Sequence, residues 1–579
     1  MKTFIRLLSH LAASLLLLFV LPLPVSAQQR GTITGRIVTD DGASMSGVTV
    51  MINAYASNAA ARSLKTALTD EEGNFQFTNL PQRSYLISAL EGRGYVQAPR
   101  PVGSPQQIYR IGEHAVIRMT RGGVITGRAS FASGEPMINA YVTAFRVRDA
   151  EGAPVRSQTY RTRSTDDRGI YRIYGLTPGI YVVSVNHGGA SFYGQQSPFD
   201  GDAPTYHPSV PRDTATEIQV SAGMEVTGVD IRHRGEQGHV VSGKVVGSNE
   251  STGPATYMSN IAMLTYPGGM QMGMTAARPS DMDNGFVFLG LPDGEYDLIA
   301  DQGSENGDSN NRSEPRRVIV RGADVSGIEL KMLPMASING KVVIEPSSNT
   351  CDPKTKSSIE ELILNARREE KPTDSIAQAI RYQQIFVPNE KGEFKMNALA
   401  AGRYRIEPNL PSENWFVKSI TSASTAGTAT GAAAKTPATT SDLARAGALL
   451  KAGEKLSGVN VTITDGAASV RGKLEVKPGG KFPSRLRVHL VPAETTAAED
   501  VLRYRELLTT DALFAFTNLA PGKYWLLAKA VADNEPSDRL PSAVAWDTAE
   551  RAKLRKEAEA AKNEIELKAC QRVKDHVLR

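Results

Sequence analysis

The sequence is poor in the groups from which active sites are built. It carries 8 histidines and 2 cysteines in 579 residues. The seven histidines beyond the N-terminal segment are spread along the chain without a cluster. It has no Gly-x-Ser-x-Gly elbow, no His-Glu-x-x-His pair and no phosphate loop, so no familiar hydrolase or nucleotide motif announces itself. Charge of one sign is also missing. The 66 lysines and arginines stand against 61 acids, a net +5 on a long chain. No dense basic stripe is interleaved with aromatics, which argues against nucleic acid as a partner. Beyond residue 27 no apolar run reaches the roughly 18 residues of a membrane helix.

What is present begins with an export signal. Lys2 and Arg6 form a positive head, Leu11 to Val20 are apolar apart from Ser14, and Val25-Ser26-Ala27 supplies small residues before a cut. Residues 1–27 therefore read as a secretory signal peptide. No cysteine follows it to take a lipid. The mature chain is expected in the periplasm or outside the cell, with no membrane span after cleavage.

Composition is that of a globular protein, 41% hydrophobic and 22% charged, with 51 glycines and 32 prolines. Abundant turn residues favour β structure. Length alone suggests about four domains; internal repetition argues for five. A polar turn, a short strand, a Leu-x-Pro-Gly turn and a tyrosine recur. In the clearest copy Asp166-Asp167-Arg168-Gly169-Ile170-Tyr171 leads through Leu176-Thr177-Pro178-Gly179 to Tyr181. The other copies end at Tyr85, Tyr296, Tyr404 and Tyr524.

Upstream of each lies a period-2 strand with a central glycine: Gly35, Gly127, Gly243, Gly340 and Gly472. Glycine there suggests a bulge or a close backbone approach. From glycine to tyrosine the spacings are 50, 54, 53, 64 and 52 residues, a period that outranks local helix signals. A third signal, such as Gly223-Met224-Glu225-Val226-Thr227-Gly228-Val229, closes modules two to four. Boundaries fall at 28–121, 122–236, 237–335, 336–466 and 467–579. Short joints are expected to be stiff, with each module touching mainly its neighbours and the segment 122–236 able to fold alone.

Two regions depart from the pattern. Residues 421–441 are rich in Ala, Thr and Gly and read as a mobile loop of module four. Residues 547–562 read as a helix, with Asp547 as cap, Glu550 completing a capping box, and Ile565-Glu566-Leu567 as a final strand.

These motifs together, Gly-x-Val-x-Gly-Lys-Val, Gly134-Glu135-Pro136-Met137-Ile138-Asn139-Ala140-Tyr141-Val142, Thr-Asp-x-x-Gly-x-Tyr and Leu-x-Pro-Gly-x-Tyr, resemble the carboxypeptidase regulatory-like domain. The likeness is strongest in modules one to three. Module four carries a charged insertion near Ser357–Asp374, and module five lacks the Asp-x-x-Gly turn before Phe514. The resemblance implies an all-β chain, a tandem array of about five Greek-key, transthyretin-like β-sandwich modules with a short C-terminal helix. That fold is also grouped with carbohydrate-binding-like folds. Family members accompany zinc carboxypeptidases and outer-membrane transporters as non-catalytic modules, which implies support or binding rather than an enzyme, and no cofactor.

Candidate chemistry is sparse. His233-Arg234-Gly235-Glu236 spells the His-x-x-Glu of zinc carboxypeptidases, but a catalytic zinc needs a third protein ligand; a solvated linker is the expected role. Met270, Met272 and Met274 have a spacing that suits copper(I), but on a strand it puts all three on one face, and packing is the favoured reading. Asp281-Met282-Asp283-Asn284-Gly285 resembles the start of a calcium loop, yet Pro292 stands where the closing Glu belongs, which favours an Asx turn. Phe192, Tyr193, Phe199, Tyr206 and His207, in a long segment of module two, form the candidate ligand surface for a glycan. Cys351 and Cys570 permit a single pairing. A disulfide between them would close a loop of 219 residues and fold modules four and five back on each other, since bridged Cα atoms lie within about 7 Å. The function expected is a non-catalytic binding or scaffolding protein of the envelope or extracellular space, its partners a glycan or an envelope protein. The alternative is a carbohydrate-binding accessory of polysaccharide breakdown; oligomeric state is not legible.

Overall fold

The computed structural model describes residues 30–56, 64–99, 107–155, 160–185, 201–247, 259–266, 271–277, 284–302, 311–348, 350–351, 357–369, 385–423, 440–475, 482–497, 499–532 and 547–578. The chain is all-β, and one pairing scheme recurs five times. Opening strands run Arg30–Thr39, Gly123–Ser130, His239–Val246, Ala336–Glu345 and Ala468–Leu474. Each pairs antiparallel with the strand after the polar turn and parallel with a strand from the end of its own repeat. In the first repeat these partners are Asn74–Pro81 and His114–Arg121. A second sheet faces the first, ordered Leu64–Leu68, Thr49–Ala54, Tyr85–Ala89. The inward positions alternate: Ile33 and Ile37 of the opening strand are 0% exposed, as are Met119 on the parallel strand beside it and Val50 in the facing sheet. Each such side chain contributes roughly 1.5–3 kcal/mol by leaving water.

The repeated residues have specific jobs. A Cβ on Gly127, Gly243, Gly340 or Gly472 would lie 2.0, 2.1, 2.2 or 2.0 Å from the closing-strand carbonyl oxygen of Val229, Ile328, Val459 or His576. Only glycine lets the two parallel strands approach there. The register shifts beside Gly243, Gly340 and Gly472, as the sequence leads one to expect. The conserved-looking tyrosine closes the hairpin turn on itself. The hydroxyls of Tyr85, Tyr181, Tyr296, Tyr404 and Tyr524 donate to the carbonyls of Pro81, Thr177, Pro292, Ala400 and Ala520, at 2.7, 2.6, 2.7, 2.9 and 2.6 Å. The polar turn is an Asx turn: Asp70, Asp166 and Asn389 Oδ1 accept from the amides four residues on, at 2.7, 2.8 and 2.9 Å.

Three local expectations need correction. The described part of the segment near Ser357–Asp374, residues 357–369, is not simply an insertion. Ser358 caps a 3-10 turn Ile359–Glu361, and the core strand Ile363–Arg368 follows. The loop of module four is shorter than 421–441, because Thr421–Ala423 pair with Thr440–Asp442; residues 424–439 lie outside the described residues. The helix stands where it was expected, over Thr548–Ala561 with Lys562 as C-cap, and Asp547 Oδ1 caps it by accepting from Ala549 and Glu550. The strand ending at Leu567 is not the last, because Arg572–Leu578 turns back to pair parallel with the opening strand of its module. Only that pairing completes the fifth sandwich.

Candidate functional site at the module junctions

The groups singled out as candidate chemistry converge on the joints between sandwiches. His233 follows the short strand Ile231–Arg232 and is 2% exposed. Its Nε2–H donates to Asp202 Oδ2 at 2.9 Å, which leaves Nδ1 to accept from the Thr205 hydroxyl at 3.1 Å. Thr205 in turn accepts from the Arg234 amide at 3.2 Å, and the Phe131 ring lies edge-on to the imidazole at 6.4 Å. The order acid, imidazole, hydroxyl mimics a nucleophilic relay, but the hydroxyl is 1% exposed and no substrate reaches it. Glu236 faces solvent and pairs with Arg234. His233 and Glu236 thus do not converge, and the solvated-linker expectation for His233 also fails. A buried imidazole must satisfy both nitrogens, and it does so by bolting the segment at 201–205 to the joint. Among the described residues no group of three or more His, Cys, Asp or Glu is placed to hold a metal ion.

The candidate ligand surface divides. Phe192, Tyr193 and Phe199 lie outside the described residues. Tyr206 is 2% exposed and shares one apolar cluster with Phe145, Val182, Phe288 and Leu298. Burial pushes its phenol up to about 12. His207 is partly buried, its Nδ1 2.6 Å from the Asp230 carbonyl. Tyr206 is closed off by that packing, whereas His207 keeps part of its surface exposed. The outer face of the second sandwich finds its apolar partner in the third, so Tyr206 is core at a joint. Met272 and Met274 lie on the strand Gln271–Ala277; Met270, Asp281 and Asp283 lie outside the described residues.

Cys351 and Cys570 are bridged, with Cα atoms 5.4 Å apart. The fourth and fifth sandwiches are fastened around that bridge by polar side chains. Asn518 Nδ2 donates to the carbonyls of Ser412 and Trp415 at 2.6 and 2.7 Å. Arg572 spans Ala467 O, Glu413 O and Asn414 Oδ1 at 2.6, 3.0 and 2.6 Å. Beside the bridge a crevice of about 330 Å³ is lined by Glu345, Ser347, Phe416, Lys418, Asp465 and Pro521. Its Lys418 and Glu345 neutralise each other at 2.7 and 2.9 Å.

The last junction has no forewarning in the sequence. The first sandwich touches the fourth. Ser84, in the turn between Leu80-Pro81 and Tyr85, donates from Oγ to Glu361 O at 2.6 Å. Gln82 Nε2 reaches the Glu361 carboxylate at 3.4 Å, and Arg83 faces Glu360 at 3.7 Å. The expectation that each module touches mainly its neighbours fails here, because a turn that is solvated in a linear array is 0% exposed at Ser84.

No curated protein matches the chain. Among solved structures the Bacillus anthracis TIE protein is 14% identical over 52% of this chain, with a TM-score of 0.13, and the chain spans about half of that protein, 51%. The minor pilin GBS52 of Streptococcus agalactiae is 16% identical over 35% of this chain and 95% of its own, TM-score 0.18. The major pilin subunit BcpA of Bacillus cereus is 10% identical over 52% and 99%, TM-score 0.14. Residues 32–108, most of the first sandwich with its corner tyrosine Tyr85, match the family model of the carboxypeptidase regulatory-like domain.

Proposed function

We propose that the chain is an exported, non-catalytic scaffolding or binding protein of the cell envelope or extracellular space. The observation that carries this reading is the disulfide-locked junction of the fourth and fifth sandwiches. A bridge of that kind persists in oxidising compartments, and it holds sandwiches together rather than presenting reactive groups. The signal-like segment at 1–27 supports the same compartment. The polar clusters in the described junctions support it too, since Asp202, Thr205 and His233 are spent on each other. The partners proposed are a glycan or an envelope protein.

The purified mature chain, incubated with peptidoglycan, a glycan panel and envelope extract, tests the reading. It is expected to capture a partner saturably without hydrolysing peptides and without a stoichiometric equivalent of zinc. Peptide hydrolysis lost in His233→Ala would overturn it. The accessory reading, a carbohydrate-binding component of polysaccharide breakdown, draws on the crevice beside the bridge. There Lys418 and Glu345 are paired with each other, and Phe416 and Pro521 add apolar lining. Saturable glycan binding lost in Phe416→Ala would favour it over the scaffold.

A further inference from the structure

The contact between the first and fourth sandwiches spans 277 residues of sequence. The intervening modules are joined in series. Gly122 N donates to Gly94 O at 2.8 Å, and Arg161 pairs with Glu91. The second and third share a cluster, and the third's closing strand Val325–Pro334 leads into the fourth's opening strand Ala336–Glu345 across one residue. Seating the first sandwich on the fourth therefore closes four sandwiches into a ring.

At the seat lies an acid. Glu361 is 3% exposed. Its carboxylate accepts from the Ser358 amide at 2.8 Å, as half of a capping box, and from Gln82 at 3.4 Å. Among the described residues it makes no ion pair. Arg83 is turned to Glu360, and Arg110 to Glu113 and, at 3.5 Å, to the Leu410 carbonyl. The cap bond is local to the fourth sandwich and survives undocking. The first sandwich covers it through Gln82 and Ser84, and a buried carboxylate without an ion-pair partner is costly in its charged form. We propose that this junction is an acid-closed latch, in which uptake of one proton by Glu361 strengthens the docking that makes the ring.

The charged and titratable groups facing Glu361 are Arg83, Arg110, Glu113, Glu360 and the Tyr85 phenol, with Arg30 beyond. Burial is the main cause holding the Glu361 carboxyl above its ordinary value, and Glu113 adds to it; the Ser358 amide, Arg110 and Gln82 oppose it. Undocking removes the Gln82 and Ser84 contacts and lets the carboxyl relax towards its ordinary value. The docked state thus binds the proton more tightly. Closure is strongest below the ordinary value and weakens as pH rises through the raised one. The Arg83–Glu360 pair works the other way at the acid end, where Glu360 loses its charge.

Small-angle scattering of the full mature chain near pH 5 and near pH 8 tests the latch. Wild type is expected to show a larger radius of gyration at the higher pH. Glu361→Gln, which keeps the shape and cannot ionise, is expected to stay compact at both. Ser84→Tyr, which wedges the seat from the other side, is expected to be extended at both, with circular dichroism confirming that both variants are folded. A wild-type radius that does not change with pH overturns the proposal. So does a Glu361→Gln chain that still expands, or a wild type near pH 5 that matches Ser84→Tyr.

Discussion

The second and fifth sandwiches bury the same patch in different ways. In each, the residue after the corner tyrosine faces outward beside one partner, Val182 with Phe145 and Trp525 with Val491. In the second sandwich that pair joins the core of the third. In the fifth it lies under the chain's own helix, against Leu554 and Ala558, with Arg555 stacked 5.0 Å from the Trp525 ring. The sandwich therefore has an outer face that must be covered. A neighbouring module and a 14-residue helix are equivalent solutions, because both remove the same apolar atoms from water.

The comparison breaks most sharply at the two large side chains. Trp525→Ala is expected to cost about 3–5 kcal/mol, confined to the fifth sandwich and its helix. Phe145→Ala is expected to cost as much, but to loosen the second and third together. Chemical denaturation followed by hydrogen exchange separates the two patterns; a Phe145→Ala loss confined to the second sandwich would break the equivalence.

Acidity should distinguish the covers next. His489 sits two residues from Val491 on the same face, 5% exposed. Burial first, then Arg487 and Lys529, lower its pKa to about 4. The neutral ring is the folded form, so its contribution is full above the ordinary 6.5 and is lost as pH falls from there towards about 4. A shift of this size corresponds to roughly 3 kcal/mol. His489→Gln should flatten that acid loss in the fifth sandwich, read by thermal unfolding across the window, while the second sandwich keeps its response.

Reduction is expected to cost about 2–4 kcal/mol, released as lower thermal stability of the fifth sandwich and its joint to the fourth; the second and third, which hold no cysteine, should not move. The smallest effect sharpens the comparison at the corners. Tyr181→Phe and Tyr524→Phe each remove the corner hydrogen bond, worth about 1 kcal/mol, but Tyr524→Phe also takes away the acceptor of Arg503 Nε at 3.1 Å. The fifth sandwich is therefore expected to lose more, measured by urea midpoints; equal losses would mean that the Arg503 bond contributes nothing.

Much of this was legible beforehand because it is local. A glycine that cannot carry a Cβ, an Asp four residues before a bonded amide and a tyrosine four residues after its carbonyl are contacts within or between adjacent strands. Such contacts repeat when the sequence repeats. The disulfide was legible for a different reason, since two cysteines allow one pairing. Tyr206 and His233 were misplaced because their polar atoms and their position near a joint suggest solvent. What covers them comes from residues 28 or more positions away or from another sandwich.

The sequence by itself determined the repeated unit: five openings, five corner tyrosines and the strands between them, since each is specified by sterics and hydrogen bonds inside one module. Only the tertiary structure decided which faces meet. The helix lying on Trp525, the second sandwich sharing its core with the third, and Ser84 seated on Glu361 depend on how whole sandwiches are oriented. That orientation is the sum of small contacts at distant positions, and no period in the chain encodes it.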